Sequence, residues 1–224
     1  MANVVIIGAD RGIAAGLVRE YLSRGDSVTA VCQHDGSDWA DEGVTVIGGI
    51  DVTSDSAVAD MATRLAGSTI DVLVHVAGVG ATDRWGQFDF DVMLSHYNLN
   101  ALGPLRVVQA LADNMAEGAK IGIVTSRMGS IGDNQSGRMY SYRMSKAAAN
   151  MLGVNLYHQF RPRGIFVMLL HPGTVATAMT KGAADWDSFT RPETSAAGLA
   201  RQLHALGPES PPEFRHQDGT LLPW

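Results

Sequence analysis

Tyr142 and Lys146 are the two residues whose types and spacing most directly suggest chemistry. The surrounding pattern predicts a helix over residues 141–160, and side chains at positions i and i+4 share a helix face, with Cβ atoms about 6 Å apart. A free phenol has a pKa of about 10, which makes it a poor proton donor or acceptor at neutral pH, and a nearby ammonium group favours the phenolate. The spacing therefore suits acid–base catalysis, and an ordinary pair of helix residues is the alternative interpretation.

A glycine loop near the start of the chain is the second candidate for chemistry. Gly8 and Gly12 lie between a β-branched run at residues 3–8 and a helical pattern at residues 12–24. Gly8 would permit a sharp turn, and Gly12 would let the backbone approach a pyrophosphate without a Cβ in the way. The helix N-terminus behind the loop would offer free N–H groups and the positive end of a dipole. Its place directly after the first strand favours nucleotide binding over a plain turn.

Two features near this loop indicate which dinucleotide would bind. Arg11 could grip a 2′-phosphate, although a solvated surface charge is the alternative interpretation. At the end of the second predicted strand, Gln33 stands where an NAD site normally has an acid, and the first acid after it is Asp35. A 2′-phosphate would then meet no carboxylate repulsion at this point. We therefore expect NADP to be preferred, with NAD as the alternative.

The elements that must position these residues alternate along the chain. Short apolar runs predict strands at residues 3–8, 27–32, 44–47, 71–76, 120–125, 165–170 and 219–222. Helical patterns predict helices at about residues 12–24, 53–66, 91–115, 141–160 and 194–206. This alternation predicts an α/β fold in which residues 1–224 form a single domain, a Rossmann-type doubly wound parallel sheet with helices on both faces.

Segments rich in Gly, Pro, Asp and Ser predict loops at residues 33–43, 127–138, 172–192 and 207–219. The first three would leave the carboxyl ends of the second, fifth and sixth strands. Because ligands of open α/β sheets bind beyond the carboxyl ends of the strands, function is expected at these loops.

Composition narrows the class of protein. The 224 residues are 46% hydrophobic and 18% charged, which is typical of one globular domain. The net charge of −6 and the lack of a basic run disfavour a nucleic-acid partner. Cys32 is the only cysteine, so no disulfide can form within the chain. With no signal-peptide pattern and no apolar run long enough to span a membrane, we expect a soluble cytoplasmic protein without a membrane partner.

In order and spacing, these elements resemble the short-chain dehydrogenase/reductase family from Val4 to Trp224. Gly8-x-x-x-Gly12-Ile13-Ala14 is similar to the glycine loop of the family, and Tyr142-x-x-x-Lys146 to its catalytic pair. The resemblance implies a catalytic tetrad of Asn100, Ser126, Tyr142 and Lys146, and no metal. It also implies that the cofactor is bound by residues of the glycine loop and of the strand ends, which are Gly8, Asp10, Arg11, Gly12, Ile13, Gln33, Asp51, Val52, Ala77, Gly78, Tyr142, Lys146, Pro172, Gly173, Val175 and Thr177.

The resemblance also implies a role for each member of the tetrad. In the reductive direction, Tyr142 would give a proton to the carbonyl oxygen, and Ser126 would hydrogen-bond that oxygen as charge develops. Lys146 would lower the pKa of the phenol and hold the ribose, and Asn100 would keep a water that feeds protons back through Lys146.

Among known branches, the chain is most similar to small carbonyl reductases and C-factor-like proteins, through residues 127–150 and 218–224. This similarity implies hydride transfer between NADP(H) and a small, fairly apolar aldehyde, ketone or quinone, in a homodimer or homotetramer. A dinucleotide-binding signalling protein with little turnover is the alternative. A kinase is disfavoured because no Gly-Lys-Ser/Thr motif is present, and an extended epimerase because the chain lacks an extra substrate domain.

Several positions depart from the family pattern. Ala14 replaces the last glycine of the loop, Gln33 replaces an arginine often found beside the 2′-phosphate, and His75-Val76 replaces a pair of asparagines. His75 is expected to be a packed residue rather than a catalytic one. Residues expected to line an apolar substrate pocket are Met128, Ile131, Met139, Met179, Trp186 and Phe189, for which simple packing is the alternative.

Overall fold

The computed structural model describes residues 1–36, 39, 42–80 and 82–224. Within these residues, seven strands form one parallel sheet in the order β3-β2-β1-β4-β5-β6-β7. The strands are β1 (Asn3–Ile7), β2 (Ser27–Val31), β3 (Thr45–Ile47), β4 (Ile70–His75), β5 (Met115–Val124), β6 (Phe166–His171) and β7 (Phe214–His216). The predicted doubly wound α/β fold is thereby confirmed. Its strand order reverses between β1 and β4, where such sheets open a crevice for ligands.

Helices cover both faces of the sheet. They are α1 (Gly12–Ser23), α2 (Asp55–Arg64), α3 (Phe90–Tyr97), α4 (Gly103–Leu111), α5 (Tyr140–Phe160) and α6 (Pro192–Ala205). Since successive side chains of a strand point to opposite faces, Val4 and Ile6 of β1 join the core beneath α1 and α6, whereas Val5 and Ile7 join the core beneath α2, α4 and α5. Both faces are therefore buried, as the continuous apolar strands predict.

The helical region predicted at residues 91–115 contains a change of helix type. A π-helical turn at Asn98–Leu102 separates α3 from α4, and Met115 already begins β5. Pro104 provides a physical reason, because it has no N–H to give to the carbonyl group of Asn100 four residues earlier. The predicted helical region is thus confirmed in extent, and its π-helical turn falls at a predicted site residue.

The strand predicted at residues 219–222 is also wrong. The last strand is β7, inside the segment predicted as a loop, and the chain then turns at Gly219, where φ is +98°. Leu221 returns to form a single antiparallel bridge with Arg215. The last strand forms at Phe214 because the buried ring of this residue fills the core and stacks on Trp224.

The loop predicted at residues 33–43 follows β2, and its residues 37, 38, 40 and 41 lie outside the described residues. None of the helices in the described ranges is long and apolar enough to cross a membrane.

Candidate active site

The glycine loop begins where the ends of β1 and β4 lie in close contact. Gly8 has φ +82°, and a Cβ at this position would lie 2.8 Å from the backbone nitrogen of Ala77 at the end of β4. Only glycine therefore fits at this crossing. The main-chain N–H groups of Gly8 and Ala9 both donate to the carbonyl oxygen of Val31, which fixes the end of β2 beside them.

The first turn of α1 is suited to bind an anion. Arg11 precedes the helix and makes no side-chain capping bond, and no acidic residue occupies the first turn. The first-turn N–H groups are thus without intrahelical partners, as at the phosphate sites of other helices. A Cβ at Gly12 would lie 3.4 Å from Cγ2 of Thr177, so the loop after β6 stands across the cleft from the glycine loop.

Asp10 places a carboxylate at the end of β2. Its carboxylate accepts hydrogen bonds from the main-chain N–H groups of Gln33, at 3.0 Å, and His34, at 2.9 Å. An acid from the glycine loop therefore occupies the end of β2, where the sequence shows none. The expectation that a 2′-phosphate meets no carboxylate at this point is wrong.

The other predicted cofactor residues lie at the same end of the sheet. Asp51 is exposed, and its Oδ1 accepts hydrogen bonds from the N–H and the hydroxyl group of Thr53. Val52 is buried and packs near Gly103 of α4, so its side chain faces the core rather than the cleft. Pro172 accepts a hydrogen bond from Ser195 of α6, and Val175 is buried.

Asn100 ties the exit of β4 to helix α5. Its Nδ2 donates to the carbonyl oxygen of Val79 at 3.0 Å and to Oγ of Ser145 at 2.9 Å, while its Oδ1 accepts the N–H of Val79 at 2.9 Å. The π-helical turn presents this buried side chain, and π-helical turns occur frequently at functional sites.

Lys146 is buried beside Asn100. Its Nζ donates to the carbonyl oxygen of Val124 at 3.2 Å and lies 5.8 Å from the ring centroid of Tyr142. A Cβ at Gly78 would be 3.0 Å from Oδ1 of Asn100 and 3.2 Å from Nζ of Lys146, so these two side chains meet at the exit of β4.

Ser126 completes the group of four predicted catalytic residues. It is buried, its Oγ accepts the N–H of Met128 at 3.1 Å, and its hydroxyl is near enough to the phenol of Tyr142 to act on its pKa. The structure therefore brings Asn100, Ser126, Tyr142 and Lys146 together at the carboxyl ends of β4 and β5.

Burial controls the protonation of this group. It lowers the pKa of Lys146 to about 8. It also raises the pKa of Tyr142, and the nearby hydroxyl group of Ser126 only partly opposes this effect. In the protein alone, the phenol is thus held in its protonated form, and Lys146 is not among the groups that lower its pKa.

His75 lies on the same side of the sheet and is fully buried. Burial, followed by the charge of Lys146, lowers its pKa to about 3, so the imidazole is neutral. Its Nε2 has no hydrogen-bond partner among the described residues.

Asp83 caps the helix that carries the tyrosine and the lysine. Three successive residues before α5, Gly137, Arg138 and Met139, have φ values of 60°, 60° and 51°. Met139 provides no side-chain cap. The carboxylate of Asp83, from the loop between β4 and α3, instead accepts the N–H groups of Tyr140 and Ser141. Sequence analysis missed this residue, because a contact across more than fifty positions leaves no local pattern.

The substrate side of the cleft is mostly apolar. Cγ and Sδ of Met179 lie 3.3 Å from the place where a Cβ of Gly80 would be, so the loops after β4 and β6 face each other. Trp85 and Phe88 pack against the ring of Tyr140 and add an aromatic cluster that sequence analysis missed. Of the residues predicted to line a pocket, Ile131 and Met179 are exposed and available for contact.

Comparison with known proteins identifies relatives over the full length of the chain. A family profile for short chain dehydrogenases matches residues 2–188. The chain is 48% identical, over 100% of both chains, to 1-hydroxy-2-glutathionyl-2-methyl-3-butene dehydrogenase of Rhodococcus sp. (strain AD45). It is 40% identical to C-signal of Myxococcus xanthus, over 73% of this chain and 98% of that protein. The crystal structure of NADPH-bound carbonyl reductase from chicken fatty liver superposes with a TM-score of 0.90 and 28% identity, over 100% of this chain and 99% of that one.

The cap on α5 predicts a pH-dependent contribution to stability. Burial acts to raise the pKa of Asp83, but hydrogen bonds from Ser141 and Tyr140 outweigh it and hold the pKa below its usual range. A carboxyl group with a lowered folded-state pKa stabilises the protein above its unfolded pKa of about 3.9, and this stability is lost as the pH falls through the folded value. Asp83→Ala should therefore cost about 1 kcal/mol of unfolding free energy at pH 7, and the difference from wild type should vanish in acid.

Asp89→Ala is the matched control, because Asp89 caps α3 rather than α5. Amide hydrogen exchange should speed up at Tyr140 and Ser141 in Asp83→Ala alone. Unchanged protection of these two amides in that variant would show that Asp83 does not hold the start of α5.

Proposed function

We propose a specific reaction for this chain, which belongs to the short-chain dehydrogenase family and is an oxidoreductase. The protein transfers a hydride between NADP(H) and the carbonyl or alcohol group of a small, fairly apolar aldehyde, ketone or quinone. The observation that carries the proposal is the position of the Tyr142 phenol. It lies near the hydroxyl group of Ser126 and beside the buried ammonium group of Lys146, in the cleft that begins at the glycine loop.

The cleft fits a nicotinamide dinucleotide. The loop from Gly8 to Gly12 has no room for a Cβ at Gly8 and ends at an uncapped helix N-terminus, which suits a pyrophosphate. The dinucleotide, when bound, supplies or accepts the hydride. NADP(H) is favoured by the exposed guanidinium group of Arg11 and by the likeness to an NADPH-bound reductase.

Tyr142, Ser126 and Lys146 each contact a reacting or bound group in the reductive direction. Tyr142, kept protonated by burial, gives its proton to the carbonyl oxygen. Ser126 donates a hydrogen bond to the same oxygen as negative charge develops on it. Lys146 binds ribose hydroxyl groups and stabilises the phenolate that remains.

Asn100 acts mainly by positioning. Its two Nδ2 hydrogens are donated to Val79 and Ser145, and its Oδ1 accepts the N–H of Val79, so the side chain holds the exit of β4 against α5. The water that would return protons through Lys146 can bind Oδ1 of Asn100, which has a second lone pair.

A second candidate substrate is the hydroxyl group of a glutathionyl compound. It is favoured by 48% identity, over the whole chain, with a dehydrogenase named for such a compound. The same residues would run the reaction in the oxidative direction, with Tyr142 as the proton acceptor. Exposed Arg84, Arg138 and Lys181 lie on the loops that follow β4, β5 and β6 and could pair with the carboxylates of the peptide part.

Tyr142→Phe tests the proposed function, with Tyr140→Phe as the matched control. Two assays are run: NADPH oxidation with a panel of aldehydes, ketones and quinones, and reduction of NADP⁺ or NAD⁺ with a hydroxyalkyl glutathione thioether. Loss of the proton donor should reduce turnover by about 10²- to 10⁴-fold. Tyr140→Phe should remain active, because the ring of Tyr140 packs on Phe88 and keeps this contact.

The outcomes separate the candidates. Turnover in the first assay supports the apolar carbonyl substrate, and turnover confined to the second supports the glutathionyl alcohol. A Tyr142→Phe variant as active as wild type would contradict both. Dinucleotide binding without turnover in either assay would favour a signalling role, for which the likeness to C-signal is the supporting observation.

We also propose that the protein is a homodimer or homotetramer assembled through α3 and α5. Phe90, Leu94 and Tyr97 share one face of α3 and are exposed, as are Met144 and Met151, which are seven positions apart on α5. These two helices contact each other, and exposed apolar side chains on neighbouring helices are typical of protein interfaces.

The mass in solution tests this assembly. At micromolar concentration, light scattering should show a dimer or tetramer, and Leu94→Glu should lower the mass by placing a charge in the interface. Leu221→Glu, at an exposed leucine in another region, is the control and should leave the mass unchanged. A monomeric wild-type protein would contradict the proposal.

A further inference from the structure

The carboxylate of Asp10 lies where the adenosine ribose of a dinucleotide is usually recognised. It accepts both main-chain N–H groups that follow β2, those of Gln33 and His34. In doubly wound sheets, an acid at the end of this strand binds the ribose 2′-hydroxyl of NAD, whereas a nearby arginine accommodates the 2′-phosphate of NADP. Here the end of the strand has a glutamine, and the acid comes from the glycine loop.

Asp10 can bind a hydroxyl group while it holds the backbone. Each carboxylate oxygen has two lone pairs, and each of the two oxygens accepts one N–H group. The residue is half-buried, so part of its side chain remains accessible. A ribose 2′-hydroxyl could therefore donate to it without displacing either backbone group.

Asp10 and Arg11 act in opposite directions on a 2′-phosphate. Arg11 is exposed and makes no ion pair within the described part of the chain, so its guanidinium is available to attract the phosphate. The carboxylate of Asp10, one residue earlier, would repel it. Each residue carries a single charge, and the two are adjacent in the chain, so their Coulomb energies with a 2′-phosphate should be similar in size. Neither residue should therefore decide alone between NADP(H) and NAD(H).

We propose that Asp10 is a specificity-determining residue that reads the 2′ position of the adenosine ribose and limits the preference for NADP(H) that Arg11 provides. NAD(H) is then also accepted, through a hydrogen bond from its 2′-hydroxyl to Asp10. This inference rests on one part of the proposed function, which is that a nicotinamide dinucleotide binds in the cleft. It is independent of the substrate.

Dissociation constants test the proposal directly, without turnover. NADP⁺ and NAD⁺ are titrated calorimetrically into wild type, Asp10→Asn, Asp10→Ser and Arg11→Gln. The two Asp10 variants should bind NADP⁺ more tightly and NAD⁺ more weakly, so that the affinity ratio moves about tenfold towards NADP⁺. The change should shrink as salt is raised, and Arg11→Gln should move the ratio in the opposite direction.

Asp71→Asn is the matched control, since Asp71 also accepts a main-chain N–H, that of Asn3, but at the opposite end of the sheet. The ratio of NADP⁺ affinity to NAD⁺ affinity in Asp71→Asn should equal that of wild type. Equal weakening of both dinucleotides in the Asp10 variants would mean that Asp10 only fixes the loop, and this result, like an unchanged ratio, would overturn the inference. Failure of wild type to bind either dinucleotide would instead overturn the proposed function.

Discussion

A lysine ammonium group buried at the carboxyl ends of β4 and β5 is the constraint on which the rest of the site depends. Burying a charge is costly unless it is paired or hydrogen-bonded. The protein gives Nζ of Lys146 a carbonyl oxygen of β5 and the neighbourhood of Asn100, and the pKa nevertheless falls to about 8. An ammonium group that is only partly satisfied is well suited to bind ribose hydroxyl groups and to stabilise a phenolate beside it.

Close backbone contacts make this burial feasible. A Cβ at Gly129 would lie only 2.6 Å from the carbonyl carbon of Lys146, so helix α5 can settle against the turn after β5 only because glycine is present. Asp83 holds the other side of the helix start, and Asn100 ties it to the exit of β4. The tyrosine one turn before the lysine thereby receives a defined position relative to Ser126.

Whether a feature could be predicted from the sequence depends on how far apart along the chain its interacting residues lie. The first six strands, the glycine loop and the i, i+4 pair of Tyr142 and Lys146 are local patterns, and they were predicted. The Asp10 and Asp83 carboxylates bind main-chain groups that are distant in sequence, and no periodicity reports such contacts. The π-helical turn was hidden because the apolar pattern continues through it, and β7 because three residues are too few for a recognisable strand pattern.

The central claim is direct hydride transfer to a carbonyl carbon, and isotope transfer tests it most directly. The protein is incubated with NADPH that carries deuterium at both C4 positions and with a carbonyl compound that it turns over, and the product is analysed by mass spectrometry and NMR. The account predicts one deuterium on the former carbonyl carbon and a proton from solvent on the oxygen. Product that takes its new carbon-bound hydrogen from water, with no deuterium transferred, would contradict it.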